Sequence, residues 1–419
     1  MTTEELQKHK IGILGFGQEG QAVLKYFAKH GLTATIFDQN KPVVPNELQA
    51  SIDEVVSGEN YLDSIANCAV LFRSPGIWRK HPQILAAEQQ GSIITSQTKW
   101  FFEHCPAKIV GVTGTKGKGT TSSLIYEILK ASGKEEGQDI FLTGNIGKIQ
   151  PLEFLDKLTS KSIVVYELSS FQLQDLTQSP QIGICLMTTS DHLNHHEDLG
   201  EYHSAKSAIT AFQTSEDIAI YNGDYEASAK IGEEGVGQKF SISAKTQPQV
   251  GAYISGDILH LADGKEIDCT NRKLRGQHNM ENIAAAALAG EALGISIETI
   301  GEAVNNFAGL EHRLQFVGEI NDVAYYNDSI STVPETTIAA INSFDKPIHL
   351  LLGGSDKGLS YENMVKEILQ KSNVASITFL GEIGGNLKAL FEAANTSVPL
   401  FGPYVDLSLA MNEIKGRAQ

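Results

Sequence analysis

Residues 109–129, IVGVTGTKGKGTTSSLIYEIL, set a short apolar run against a loop of glycines, threonines and lysines, followed by an amphipathic stretch. The order is strand, phosphate loop, helix, and it commits the chain to an α/β fold: the loop leaves the carboxyl end of a buried strand and delivers an anion to a helix N-terminus. In the usual loop of this kind a Ser or Thr follows the Gly-Lys pair, because its hydroxyl ligates the Mg²⁺ carried by the nucleotide. Here Gly119 follows Lys118, and Thr120 is the next hydroxyl along the chain. Gly114, Thr115, Lys116, Gly117, Lys118, Gly119 and Thr120 are therefore the candidate contacts to nucleotide phosphates, as backbone N–H donors and a point positive charge. Thr120 is the candidate hydroxyl toward the metal.

The chain has 419 residues, enough for about three domains at ~150 residues each. Its 33 Lys and Arg against 50 Asp and Glu give a formal net charge of −17, which excludes a nucleic-acid partner bound through clustered cations. No apolar run reaches the ~18 residues needed to cross a bilayer, and MTTEELQKHK lacks the apolar core of a signal peptide. A cytoplasmic protein with no membrane partner is expected. Cys68, Cys105, Cys185 and Cys269 have no C-x-x-C spacing, so neither a zinc site nor a disulfide framework is indicated.

Three α/β blocks follow one another, with boundaries near residues 96 and 309. KIGILGFGQEGQAVLKYFAKHGLTATIFD has Gly15, Gly17 and Gly20 in G-x-G-x-x-G spacing and Asp38 at the end of the second strand. The glycines let a backbone approach a pyrophosphate, and the acid suits a sugar hydroxyl. A plain tight turn is the alternative. The second block holds the phosphate loop and the runs SIVVYELSSFQL and IGICLMTTSDHLNHHED, which end in polar residues as buried parallel strands do where they meet a ligand. Glu167 suits a divalent cation as a hard oxygen ligand, and equally a satisfied strand-end carboxylate. Asp191, His192, His195, His196 and Glu197 fit either a metal site or a solvated polar loop. Lys206, in EYHSAKSAITAF, reads by itself as a solvated helix lysine. GQHNMENIAAAALAGEALG is a long helix with a polar first turn. The third block contains EHRLQFV, VAYYNDSIS, PIHLLLGGSDKG and ASITFLGEIGG, strands feeding glycine or acidic turns.

SPGI, GVTGTKGKGTT, GNIG, ELSSFQL, DHL, YHSAK, GQHNMEN, EHR, NDS and LLGGSDKG occur in that order, and with them the chain resembles the Mur ligase family. The resemblance implies a Rossmann-like domain over residues 1–96 for a UDP moiety, a P-loop ATPase domain over 97–309 and a Rossmann-like domain over 310–419 for glutamate. It implies an ATP-dependent, ADP-forming ligase that adds D-glutamate to UDP-N-acetylmuramoyl-L-alanine through an acyl phosphate, in peptidoglycan precursor synthesis, acting as a monomer with two Mg²⁺ ions. Gly15, Gln18, Glu19, Asp38, Ser74, Gly76, Asn145 and His192 then fall to the UDP substrate. Lys118, Glu167, His192 and Lys206 become the catalytic set. Thr120, Glu167, His192 and Lys206 face metal, Lys206 as a carbamate, which turns a cation into an anion able to hold Mg²⁺. Asn279, Asn282, Arg313 and Asp328 match ATP contacts, and His312, Thr332 and Lys357 face glutamate.

Two departures from the family pattern stand out. Asp328, Ser329, Ile330 replaces the common Asp-Ser-Lys run, so a phosphate-facing cation is missing. YVDLSLAMNEIKGRAQ matches the helix before the family's final Ser-Pro and Phe-containing loop, so that loop, which holds the glutamate side-chain carboxylate, is expected to be absent from the 310–419 domain. The rival readings are a ligase adding L-glutamate to the same acceptor, a folylpolyglutamate synthase-like ligase, a non-catalytic UDP-sugar-binding protein, and a nicotinamide-dependent dehydrogenase. The last leaves the phosphate loop, Glu167 and Lys206 unused.

Overall fold

The computed structural model describes residues 1–133, 138–189 and 199–418. Strands β1 (Ile11–Leu14), β2 (Ala34–Asp38), β3 (Ile52–Ser57), β4 (Val70–Arg73) and β5 (Ile93–Thr95) form a parallel sheet in the order β3-β2-β1-β4-β5. β1, IGIL, is buried along its length, as a parallel strand covered on both faces must be. The order reverses between β1 and β4, and such switch points are where open sheets take their ligands. Both strands end there in candidate turns, Gly15–Gly20 after β1 and Ser74–Ile77 after β4.

A larger sheet runs β14-β13-β12-β11-β10-β9-β6-β8-β7. Its strands are β6 (Lys108–Thr113), β7 (Ile140–Gly144), β8 (Ile163–Glu167), β9 (Ile182–Cys185), β10 (Ile218–Asn222), β11 (Gln238–Ser243), β12 (Gly251–Ser255), β13 (Ile258–Leu261) and β14 (Glu266–Asp268). It is parallel from β7 across to β12, and β13 and β14 add an antiparallel edge. The switch point lies between β6 and β9, beside the phosphate loop.

Residues Met1–Thr270 with Glu281–Val304 make one compact unit, and Asn271–Met280 with Asn305–Gln419 a second. In the second unit β15 (Gln315–Ile320) and β16 (Val323–Asn327) pair antiparallel, and a parallel sheet follows from β17 (Ile348–Gly353), β18 (Val374–Leu380) and β19 (Leu400–Tyr404). Leu352, Ile377 and Phe379 of that sheet pack with Val365, Ile368 and Phe391 of its helices. The α/β expectation holds for the fold, but VAYYN is half of a two-stranded ribbon rather than a strand of the block's parallel sheet. Asn321 and Asp322 explain it: both have positive φ, 50° and 61°, the geometry of the two-residue turn that matches strand twist. Among the described residues no helix is long and apolar enough to cross a membrane.

Within the first unit the two sheets share one core. An aromatic series runs from Phe27 and Phe72 through Trp100 and Phe101 to Phe154 and Tyr166. Polar ties cross the same boundary. The Arg73 guanidinium, at the end of β4, pairs with Asp175 at 2.6 Å, both side chains buried. Glu19 Oε1, in the first turn of helix Gln18–Lys29, accepts from Gln172 Nε2 at 2.8 Å. The other oxygen, Oε2, is buried with no hydrogen-bond partner among the described residues.

Burial raises the Glu19 carboxyl from its ordinary 4.5 to about 7, against the lowering effect of the Gln172 bond and Arg73 and with a further push from Asp175. The sign follows from linkage. Between pH 4.5 and 7 the folded chain binds more protons than the unfolded chain, so this group makes stability fall as pH rises through that window. Glu19→Gln removes the titration. Its melting temperature should therefore gain on wild type steadily from pH 5 to pH 7.5, and parallel melting-temperature curves would reject the buried-carboxyl assignment.

Candidate active site

Gly114 and Gly117 have φ of 148° and 89°, and Gly117 is the N-cap of helix Lys118–Ala131. Its φ is what calls for glycine there, and a Cβ on Gly117 would sit 2.1 Å from Asn282 Oδ1 and displace that side chain. Asn282, from helix His278–Ala292, thus reaches the phosphate loop, and its Oδ1 accepts from Thr121 Oγ1 at 3.3 Å. Thr121 is committed to that bond. Thr120, beside it in the same helical turn, is also buried. Lys118 Nζ curls back to donate to Gly114 O at 2.9 Å and Thr115 O at 3.2 Å, which puts its charge inside the loop. Lys116 is exposed.

Thr115 fastens the loop to the chain leaving β9. Its N–H donates to Met187 O at 2.7 Å, its hydroxyl donates to Thr189 O at 3.1 Å and accepts from Thr189 N–H at 3.0 Å. Because that hydroxyl has only one proton, the 3.1 Å contact with Tyr202 must be donated by the tyrosine.

Sheet register brings the remaining groups to the same carboxyl edge. Val112 pairs with Glu167 and Glu167 with Gly144, so Glu167 ends β8 between the phosphate-loop strand and the turn carrying Asn145. Glu167 is 7% exposed and Asn145 is exposed. Lys206 overturns the reading of its own segment. Helix Leu199–Ser207 buries it to 2% exposure, with Nζ over the Tyr202 ring at 4.8 Å and donating to Thr113 Oγ1 and Gly114 O, each at 3.2 Å. Two ammonium groups, of Lys118 and Lys206, therefore meet on one carbonyl oxygen. Asp191, His192, His195, His196 and Glu197 lie outside the described residues. Among the described residues no three His, Cys, Asp or Glu side chains converge as a metal cluster.

In the first sheet Gly15 has φ 83°, a Cβ on Gly20 would lie 2.1 Å from Gly15 O, and Ser74 Oγ donates to Gly15 O at 2.9 Å. The two candidate turns are thus one structure. Gln18 and Gly76 are exposed on it, whereas the Glu19 side chain turns away toward Gln172. Asp38 is held by the turn: Oδ2 accepts from Phe16 N–H at 2.7 Å and Oδ1 from Asn40 N–H at 2.9 Å.

In the second unit Asp328 takes N–H from Leu314 at 2.8 Å and the hydroxyl of Ser331 at 2.5 Å. His312, at φ 64°, meets Asn327 Nδ2 through Nδ1 at 2.9 Å, and Ile330 N–H donates to its carbonyl at 3.1 Å. His312, Arg313, Thr332 and Lys357 are exposed. Asn279 is buried, and its Nδ2 donates to Arg275 O at 2.5 Å.

The sequence reading passed over Tyr202, Arg73, Gln172 and Asp175. Tyr202 stands one helical turn before Lys206, a spacing that puts them on one face. Arg73 carried its own signal, a charge ending the otherwise apolar strand VLFR.

The model of the Mur ligase MurD-like N-terminal domain matches residues 9–96, and that of the Mur ligase middle domain residues 112–290. A UDP-N-acetylmuramoylalanine–D-glutamate ligase of Clostridium tetani is 35% identical over 395 residues, 91% of this chain and 83% of the relative. One from Clostridium kluyveri is 35% identical over 389 residues, with the same coverage. Among solved structures, UDP-N-acetylmuramate-alanine ligase MurC from Thermotoga maritima aligns over 98% of this chain and 99% of its own, with TM-score 0.59 and 16% identity. MurF ligase from the same organism, in complex with ADP, aligns over 100% and 90% with TM-score 0.58 and 14% identity. Two family models in tandem and relatives at this identity over nine-tenths of the chain lead to one conclusion: the chain belongs to the Mur ligase family, with a MurD-like N-terminal domain.

Proposed function

We propose that this chain is the ATP-dependent ligase that joins D-glutamate to UDP-N-acetylmuramoyl-L-alanine, releasing ADP and phosphate, in the cytoplasm and as a monomer. The relatives named for this reaction support it, and the observation that carries it is the buried Lys206 sharing Gly114 O with Lys118 beneath the phosphate loop. Domains over 1–96, 97–309 and 310–419 are supported by the matched residues 9–96 and 112–290 and by the separate sheets.

A carboxylate is a poor electrophile, so the acceptor first takes the γ-phosphoryl of ATP to become an acyl phosphate, and ADP leaves. The glutamate amine then attacks the activated carbonyl, loses a proton, and expels phosphate as the amide forms. The loop N–H groups and Lys118 neutralise the phosphate oxygens during the first step. Gln18, Gly76 and the backbone of the Gly15–Gly20 turn hold the UDP end, with Asn145 and His192 toward the acceptor. Asn279, Asn282, Arg313 and Asp328 serve ATP, and His312, Thr332 and Lys357 serve glutamate. The donor set fits Mg²⁺: Glu167 and Thr120 are hard oxygen ligands, and Lys206 becomes one as a carbamate, with His192 completing the set of ligands implied by the family pattern. When bound, the metal supplies charge neutralisation of the transferring phosphoryl oxygens.

The two-lysine contact gives the carbamate a physical rationale. With Nζ atoms 2.9 and 3.2 Å from one oxygen, the ammonium charges lie within about 6 Å of each other, and like charges at ~6 Å repel by about 3 kcal/mol at an effective dielectric of ~20. Neutral Lys206 amine and CO₂ give a carbamate and a proton, replacing repulsion by attraction.

The founding experiment is ADP release measured with each substrate omitted in turn. Release independent of the UDP acceptor would reject the ligase. Thr120→Ala should raise the Mg²⁺-ATP requirement about tenfold or more, whereas Thr121→Ala should mainly cost about 1 kcal/mol of stability through the lost bond to Asn282. Equal effects on ATP use would reject Thr120 as the metal-side hydroxyl. Activity should also fall in CO₂-depleted buffer and recover with bicarbonate, and ¹³C-bicarbonate should give a carbamate carbonyl resonance. Lys206→Arg should lack both responses, and a fully active arginine variant would sink the carbamate.

A further inference from the structure

The segment after Glu167 touches both substrate turns of the first sheet. Ser169 caps helix Ser170–Leu173 in a capping box: Ser169 Oγ accepts from Gln172 N–H at 3.3 Å, and Gln172 Oε1 accepts from Ser169 N–H at 3.0 Å. With its carbonyl oxygen spent on the box, the Gln172 amide can turn only its NH₂ outward. That group meets Glu19 Oε1 at 2.8 Å, on the helix that starts at the glycine turn. Three residues on, Asp175 accepts from Arg73 Nε at 3.1 Å and Nη2 at 2.6 Å. The same guanidinium donates to Ile77 O at 2.5 Å, Ser74 O at 3.4 Å and Phe171 O at 3.4 Å. The segment is tied back to the phosphate loop as well, through Leu168 N–H to Val112 O at 2.9 Å and Thr113 Oγ1 to Leu168 O at 2.9 Å.

We propose that residues 169–175 are a clamp that registers the acceptor-binding turns of the first sheet against the phosphoryl-transfer edge, with Gln172 and Asp175 as its positioning residues. The inference rests on the ligase reading above. UDP is gripped at the first sheet and phosphoryl transfer occurs at the second, so the acceptor carboxylate reaches the γ-phosphorus only if the two sheets hold their relative setting. A misplacement of ~1 Å costs about 100-fold in rate. Hydrogen bonds through one seven-residue segment, itself continuous with Glu167, fix that setting more narrowly than the apolar core beside it. The clamp acts on the chemical step with bound acceptor and leaves the nucleotide pocket untouched.

The test reverses the bond. Gln172→Glu preserves the capping box, since a glutamate oxygen accepts from Ser169 N–H equally well, but it aims a second carboxylate at Glu19. Arg73, Asp175 and Tyr166 are the other charged or titratable groups around Glu19. At pH 8.5 kcat for acceptor-dependent ADP formation should fall ~10- to 100-fold with the KM for ATP within twofold of wild type. At pH 6.5 the loss should shrink, because protonation of one member of the carboxyl pair lets a proton bridge the two oxygens. The double variant Glu19→Gln with Gln172→Glu restores a donor facing an acceptor in the opposite sense, and its kcat should return to within about threefold of wild type at both pH values. An unchanged kcat in the single variant at pH 8.5 overturns the clamp. So does a double variant that stays as slow as the single, and the double is the deciding arm if the single variant does not fold. Failure of the underlying reading shows separately, as wild-type protein with no acceptor-dependent ADP release, and takes the clamp with it.

Discussion

A single carbonyl oxygen, that of Gly114, organises the catalytic edge. It lies where β6 gives way to the phosphate loop, and it receives Lys118 from the helix the loop starts and Lys206 from a helix more than eighty residues downstream. Gly114 can offer its carbonyl inward because its φ of 148° is closed to residues with a side chain, and because a Cβ there would press Leu186 Cβ at 2.8 Å. Burying an ammonium is costly unless it is hydrogen-bonded. Thr113 Oγ1, Gly114 O and the Tyr202 ring supply what Lys206 needs, and Tyr202 in turn depends on Thr115. The loop conformation and the lysine's burial therefore stand or fall together.

The first sheet uses its polar groups differently. Asp38 stands where a dinucleotide fold keeps its ribose acid, yet both of its oxygens already accept backbone N–H groups, from Phe16 and Asn40. Its first duty is to hold the glycine turn and the loop after β2 in place. Each carboxylate oxygen keeps a second lone pair, so holding the turn and meeting a sugar hydroxyl are compatible roles. Glu19 shows the opposite case. One residue beyond Gln18 on the same turn, it spends its side chain on the neighbouring sheet, so only its backbone N–H remains available on the ligand side.

Which features were legible follows from how local their causes are. The phosphate loop, the glycine turn and the strand ending at Glu167 each carry their signal within a dozen residues: apolar run, glycine spacing, polar terminus. Lys206 carries none, because EYHSAKSAITAF gives no hint that its lysine faces the sheet. Only the packing of that helix against Thr113 and Thr115 buries it, and the family pattern, not the periodicity, marked the position. The antiparallel edge β12 to β14, which turns at Gly256 and Gly264 with φ 59° and 86°, was not read from the sequence. Nothing in that stretch says to which sheet it attaches. Arg73 and Asp175 are about a hundred residues apart, and the burial of the Arg73 charge makes sense only once Asp175 is brought against it.

That buried pair also bears on why the two sheets behave as one unit. Apolar contact between Phe72, Trp100, Phe101 and Tyr166 supplies most of the attraction, but aromatic packing tolerates small sliding, since its energy varies slowly with offset. The guanidinium–carboxylate contact does not, because the Nε–H and Nη2–H vectors of the rigid guanidinium fork must both converge on Asp175 Oδ2. Arg73 adds three backbone carbonyls to that fork, two from the loop after β4 and one from the segment after β8. Truncating it would leave Asp175, among the described residues, with the Arg79 Nε contact at 3.2 Å and would release loop 74–77 at the same time. The pair is thus better understood as a device of register than of stability: a well-packed apolar replacement is able to match its stability, but not its directional hold on both loops.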